Sequence, residues 1–182
     1  MKKTKIGDIY AFKTERGYRI LHWAYTIEKY GRYTRVMPGF YDSIPDNIMH
    51  LVDEECAYII DFDSSRMCRK GIFEWVGNKA VSEKYPFPKH DIFCYCRSND
   101  NPNSICFQVC NSTFHQEYEN YWSDCSGNGL PEKYKDIKLL NTVFSPLSAL
   151  CLIASDFDMH NWDNYDTNFK REYYEKLYGH LF

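Results

Sequence analysis

Residues 7–42, GDIYAFKTERGYRILHWAYTIEKYGRYTRVMPGFYD, decide the fold. Ile9, Ala11 and Lys13 alternate with Tyr10, Phe12 and Thr14, and Ile20, His22 and Ala24 alternate with Leu21, Trp23 and Tyr25. A period of two sends alternate residues to opposite faces of a strand, and turns containing Gly17 and Gly31 join the runs. The stretch therefore predicts an antiparallel meander, with strands near 8–14, 18–27 and 32–37, on which the rest of the chain packs.

Working outward, Met37-Pro38-Gly39-Phe40-Tyr41-Asp42 breaks the pairing. Residues 43–55 have room for one helical turn, with Pro45 suited to its first position. Residues 56–62 and 72–76 read as strands, the second ended by Gly77-Asn78, and residues 64–71 as a polar turn or short helix closed by Gly71. Tyr85-Pro86-Phe87-Pro88-Lys89 is an extended connector, because proline fixes its own φ and keeps the preceding residue out of helix. Residues 91–97 and 104–114 make a hairpin about Ser98-Asn99-Asp100-Asn101-Pro102-Asn103. Residues 115–135 are polar and aromatic with a Ser-Gly-Asn-Gly loop and give the weakest pattern in the chain, and residues 137–144 are expected to form a last short strand. Ser145-Pro146 starts a helix over 146–155, with Leu147, Leu150, Cys151 and Ala154 on one face. A final helix near 167–179 packs through Phe169, Tyr173, Lys176 and Leu177. The fold expected is α+β: a strongly bent antiparallel sheet, barrel-like in its limiting form, with two C-terminal helices.

At 182 residues the chain suits one domain with its own core. Its β-rich part is residues 1–112, and residues 113–182 form a helical extension. The longest apolar run, Ala149–Ala154, is too short to span a bilayer. No apolar region follows the basic N-terminus, so a cytoplasmic location is expected rather than secretion. Eight cysteines fall below the density of a disulfide scaffold and read as reduced thiols. The net charge of −3 is uneven. Residues 1–91 hold 15 Lys and Arg against 13 Asp and Glu, and residues 92–182 hold 7 against 12. That balance does not describe a nucleic-acid binder, and neither nucleic acid nor membrane is expected as a direct partner. The acidic half either steers a basic partner or is a solvated surface.

Several groupings bear on chemistry. Cys94 and Cys96 share one face of a flat strand, and Cys106 and Cys110 one face of its partner. Four thiolates around zinc is one reading, but the spacing lacks the usual C-x2-C turn, and structural thiols are the expectation. Asp156, Asp158, His160 and Asp163 form D-x-D-x-H-x2-D, a set of hard ligands without the Gly and terminal Glu of an EF-hand. A solvated loop and an acidic contact patch are the other readings. Ser and Cys occur outside any nucleophile elbow. His22 and His115 are the candidate bases, His22 reading as a packed or interfacial residue mid-strand. Gly127-Asn128-Gly129 is too short to cradle phosphate. No cofactor is expected.

Three landmarks stand in order: Gly7-Asp8-Ile9-Tyr10-Ala11-Phe12 with its aromatic hairpin, Gly39-Phe40-Tyr41-Asp42, and Phe73-Glu74-Trp75-Val76-Gly77-Asn78 leading into Pro86-Phe87-Pro88. Together they resemble the immunity protein 26 family of bacterial polymorphic toxin systems. The likeness covers residues 5–112, with a fainter match over 139–158. The polar insert at 115–135 and the cysteine-rich hairpin depart from the family's pattern. The resemblance implies a cytosolic α+β protein that binds a cognate toxin domain and blocks it without catalysis. Asp156, Asp158, Trp162 and Asp163 are the candidate toxin contacts, with Phe157 as a second aromatic anchor. For a nuclease toxin the three carboxylates would stand in for phosphates. Some relatives carry a phosphotriesterase label. A small metal- or Cys/His-dependent hydrolase is therefore one alternative, and a general interaction module with a Tyr-rich face another. Trp75 is expected to fill the core with Gly77-Asn78 closing a turn, and Asp8 to start a strand or satisfy local amides.

Overall fold

The computed structural model describes residues 4–27, 31–97, 104–111, 118–124, 136–140, 145–155, 157 and 167–182. The opening meander is β1 (Asp8–Thr14), β2 (Gly17–Ile27) and β3 (Gly31–Val36). There follow α1 (Ile48–Leu51), β4 (Tyr58–Asp61), α2 (Ser64–Arg69) and β5 (Phe73–Asn78). Then come β6 (His90–Arg97), β7 (Ser104–Asn111), β8 (Tyr118–Asp124) and β9 (Leu139–Leu140). The helices α3 (Pro146–Ile153) and α4 (Thr167–Tyr178) close the chain, α4 running into a 3-10 turn at Gly179–Leu181. In β6, β7, β8 and residues 167–170 only the backbone is described. None of the described helices is long and apolar enough to cross a membrane.

All nine strands join one sheet in the order β5-β1-β2-β3-β4-β9-β6-β7-β8. β5 and β8 are its two edges, and no pairing among the described residues joins them, so the sheet is open rather than closed into a barrel. It is also mixed, not purely antiparallel. The pairs β1-β2, β1-β5, β2-β3, β3-β4, β6-β7 and β7-β8 run antiparallel, whereas β9 lies parallel to both β4 and β6.

The first strands are buried on both faces, which is why β1 shows near-continuous burial over DIYAFKT. On one face Tyr10, Phe12, Leu21, Val36, Tyr58 and Ile60 pack with Met67 of α2, Leu150 of α3 and Tyr174 of α4. On the other, Ile9, Ala11, Ile20, Tyr33 and Ile59 pack with Ile48 and Val52 around α1. The proline-fixed connector covers that second face: Phe87 meets Tyr25 at 5.4 Å and Tyr33 at 4.9 Å between ring centroids. α3 begins as its sequence predicts. Ser145 accepts a hydrogen bond from the Ser148 amide at 3.2 Å, and Pro146 occupies the first turn. Residues 149–154 are all buried, so α3 is a core helix covered all round rather than one with a single apolar face.

Four details depart from the sequence reading. Pro45 lies ahead of α1, whose N-cap is Asn47. β8 runs within the stretch of weakest pattern, pairing YENYWSD with β7 from Tyr118↔Cys110 to Asp124↔Ser104. Gly77 and Asn78 continue β5 instead of closing a turn. The packing face of α4 lies one residue on from Tyr173 and Leu177, which are each 42% exposed, whereas Tyr174 is 0% exposed. Tyrosine can bury its ring and still satisfy its hydroxyl. Tyr174 meets Phe12 at 5.6 Å, stacks on Tyr178 at 6.2 Å and donates to Glu15 Oε2 at 2.5 Å.

Tyr174→Ala should therefore destabilise the fold by about 3 kcal/mol or more, as large aromatic truncations in cores do, while Leu177→Ala stays within about 0.5 kcal/mol. Urea unfolding of the two variants measures the difference, and the reverse order would place the packing face back on Tyr173 and Leu177.

Candidate functional site

The landmarks at the two ends of the β-rich part meet at Asp8. Its side chain is 2% exposed and accepts from four neutral donors. Oδ1 takes the Trp75 indole N–H at 3.1 Å and Asn78 Nδ2 at 2.9 Å. Oδ2 takes the Lys5 amide at 2.8 Å and the Tyr10 hydroxyl at 3.4 Å. A buried carboxylate is tolerated when its lone pairs are used in this way. The result locks edge strand β5 onto β1, where a register shift at Ile9/Tyr10 sets Trp75 opposite Tyr10 and Gly77 opposite Ile9. Burial and the Asp8 charge together hold the Tyr10 phenol protonated far above its ordinary range.

Lys79, just past β5, joins four parts of the fold. Its amide donates to Gly7 O at 2.8 Å, and its carbonyl accepts His22 Nε2–H at 2.7 Å. Its ammonium reaches Met49 O at 2.8 Å and Asp53 Oδ2 at 2.5 Å. Gly7 sits at φ 87°, and a Cβ there would stand 2.7 Å from Lys79 O, so only glycine fits. Behind it Arg35 is fully buried in β3. Its guanidinium donates to Val52 O at 2.8 Å and Glu54 O at 2.6 Å, contacts His22 Nδ1 at 3.4 Å and lies over the Tyr85 ring at 4.7 Å. With Nε2–H donating to Lys79, His22 must keep Nδ1 unprotonated to face Arg35. Burial, with the Arg35 charge adding to it, lowers the His22 pKa to about 4 despite the favourable bond to Lys79 O. His22 is thus a packed, neutral histidine with both nitrogens engaged.

These networks hold a solvent-facing rim still. Trp75 remains 37% exposed at the sheet edge, Met49 of α1 is 39% exposed and Ile6 is 53% exposed. Met49 and Ile6 lie by the Gly77-Asn78 end of β5, where Asn78 Nδ2 donates to Ile6 O at 3.1 Å and the Cβ position of Gly77 lies 2.6 Å from Met49 Cε. Trp75, opposite Tyr10, is on the other face of the strand. Trp75 therefore does not fill the core as expected. It keeps the register of Phe73 and stands opposite Tyr10, and at this exposed edge its indole N–H donates to Asp8. Such an arrangement offers apolar contact beside an edge strand, the features of a recognition surface. The sequence signals were the lone Trp in FEWVGN and the Gly7-Asp8 start, but their meeting is set by strand pairing and was not legible.

Among the sequence-derived candidates, Asp156, Asp158, His160, Trp162, Asp163, His115 and Gly127-Asn128-Gly129 lie outside the described residues. Phe157 is no surface anchor. It is 4% exposed and packs edge-on against Tyr58 at 5.1 Å. A bulge between Cys94 and Cys96 sets Cys94 opposite Phe107 and Cys96 opposite Cys106, so the two occupy opposite faces of β6, not one. Cys110 sits opposite Asp91, four residues along β7 from Cys106. A four-thiolate cluster does not follow from that placement. No group of three or more His, Cys, Asp or Glu among the described residues is arranged to hold a metal ion. A scan against protein-family models, a search of curated proteins and a search of solved structures each return no match.

The His22 pKa lies below its unfolded value, so the unfolded chain binds a proton first as pH falls. His22 should leave stability flat above about pH 6.5 and cost roughly 3 kcal/mol by pH 4, near 1.4 kcal/mol per unit. Urea unfolding across that range measures this slope, and His22→Gln should remove that part of it. An unchanged slope would mean that the histidine is not held neutral.

Proposed function

We propose that this chain is an immunity protein that acts in the cytoplasm, binding one cognate bacterial toxin domain and blocking it by one-to-one occlusion. The observation that carries this reading is the convergence at Asp8. Gly7, Asp8, Trp75 and Asn78, drawn from two separate landmarks of the family resemblance, hold one another in a single network. Shared residues that build one structural unit support a common architecture better than scattered short matches do. The exposed side chains of Trp75 and Met49, on the two sides of edge strand β5, suit the mechanism, because a surface fixed in advance loses little freedom on binding. Asp156, Asp158, Trp162 and Asp163 add an acidic, aromatic contact in this reading. For a nuclease toxin it would meet the basic cleft and speed encounter.

Co-expression with the toxin domain encoded immediately upstream should restore growth and yield a one-to-one complex by size-exclusion chromatography. Met49→Asp should weaken that complex at least tenfold, about 1.4 kcal/mol, while Tyr173→Ala leaves it intact. Reversing Asp156, Asp158 and Asp163 to Lys should slow association at low salt if the toxin is a nuclease. The absence of both rescue and complex would sink the proposal.

A further inference from the structure

β6 and β7 bring two cysteines to directly opposite positions. In their antiparallel register Cys96 faces Cys106, flanked by Arg97 opposite Ile105 on one side and by the bulge on the other. Directly opposed residues on antiparallel strands have Cα atoms about 4.5–5.5 Å apart. That separation falls inside the window of roughly 4.4–6.8 Å in which a disulfide closes without moving the backbone. The other cysteines of the hairpin fail the same test. Cys94 belongs to the opposite face, because its partner Phe107 is adjacent to Cys106 and neighbours along a strand alternate. Cys110 is four residues from Cys106, about 13 Å along an extended chain. Without the bulge, Cys94 and Cys96 would share a face; with it, Cys96 alone is opposed to a cysteine.

We infer that Cys96 and Cys106 are an oxidisable dithiol that closes to a cross-strand disulfide when a hydroperoxide is the oxidant. The thiolate of one cysteine attacks a peroxide oxygen, the O–O bond breaks, and a sulfenic acid and hydroxide form. The thiolate of the other attacks the sulfenic sulfur, the S–O bond breaks, and a second hydroxide leaves as the S–S bond forms. Two electrons pass from the sulfurs to the peroxide, and the two thiol protons end in water. The bond ties β6 to β7 across residues 97–105 and leaves the rim around Trp75 untouched, so it stands apart from the proposed function.

The test is peptide mapping of the whole protein after treatment with hydrogen peroxide, alkylation of remaining thiols and digestion with trypsin. Cleavage after Lys89, Arg97 and Lys133 puts Cys94 and Cys96 in one peptide and Cys106, Cys110 and Cys125 in another. The expected result is a cross-linked pair of these peptides, lighter by two hydrogens, with fragment ions placing the bond at Cys96 and Cys106. Cys94→Ser and Cys110→Ser should keep the link, and Cys96→Ser or Cys106→Ser should lose it. A link through Cys94, Cys110 or Cys125, or sulfinic acid without any link, would overturn the inference. The wild-type map carries the test even if a variant folds poorly.

Discussion

Asp8 takes a negative charge into the interior and meets it with an indole, an amide side chain, a backbone amide and a phenol. The described partners are all neutral, so the carboxylate is held by directed hydrogen bonds, which demand geometry where a salt bridge would tolerate slack. Two of the donors come from β5, some seventy residues downstream. Closing so long a loop costs entropy before any contact rewards it, and the Asp8 network fixes where it closes. With β5 seated on β1, Lys79 arrives at Gly7, at His22 and at α1 together. Arg35 and the connector through Tyr85 and Phe87 then complete the second face. Remove the carboxylate and the shared acceptor that draws β5 and β1 together is gone.

That sequence of dependencies explains why so many polar groups are buried around β1, β2 and β3. His22, Arg35 and Asp8 would each look like catalytic candidates by residue type and burial. Apart from the buried Nε of Arg35, which has no partner among the described residues, their polar atoms bond to backbone carbonyls, amides or neighbouring side chains, and their effect is to hold strand ends and the short α1 in register. Perturbed ionisation in this protein reports architecture, with burial as the leading cause at His22 and Tyr10. What remains free to act is the rim these groups immobilise.

Much of this was legible in the sequence where the physics is local. The meander followed from period-two alternation with Gly17 and Gly31 at the turns, α3 from Ser145-Pro146, and the hairpin of β6 and β7 from its Asn-rich turn. Reading failed where distant pairing decides. β8 escaped because YENYWSD offers polar and aromatic residues where a strand usually advertises branched apolar ones. On α4 the more hydrophobic stripe through Tyr173 and Leu177 looked like the buried face, yet Tyr174 won because Glu15 waits for its hydroxyl. A single-residue shift at Ile9/Tyr10 set Gly77 and Asn78 opposite Ile9 and Asp8, and another at Cys94/Cys96 split Cys94 from Cys96. An irregularity of one residue flips a face, and no periodicity announces it. For the candidate contacts, Phe157 shows the same lesson: an aromatic within an acidic run is read as exposed until a partner such as Tyr58 is seen beneath it.

The two-residue strand β9 is the seam of the sheet. It pairs with β4 at Ile59↔Leu139 and Ile60↔Leu140, and with β6 at Ile92↔Leu140 alone. On one side of it lie strands clamped between helices and connector; on the other, the described pairing joins the β6-β7-β8 meander to β9 at Ile92↔Leu140. If that joint is as narrow as its described pairing, amide protons of the meander should exchange through local opening before those around Asp8 do.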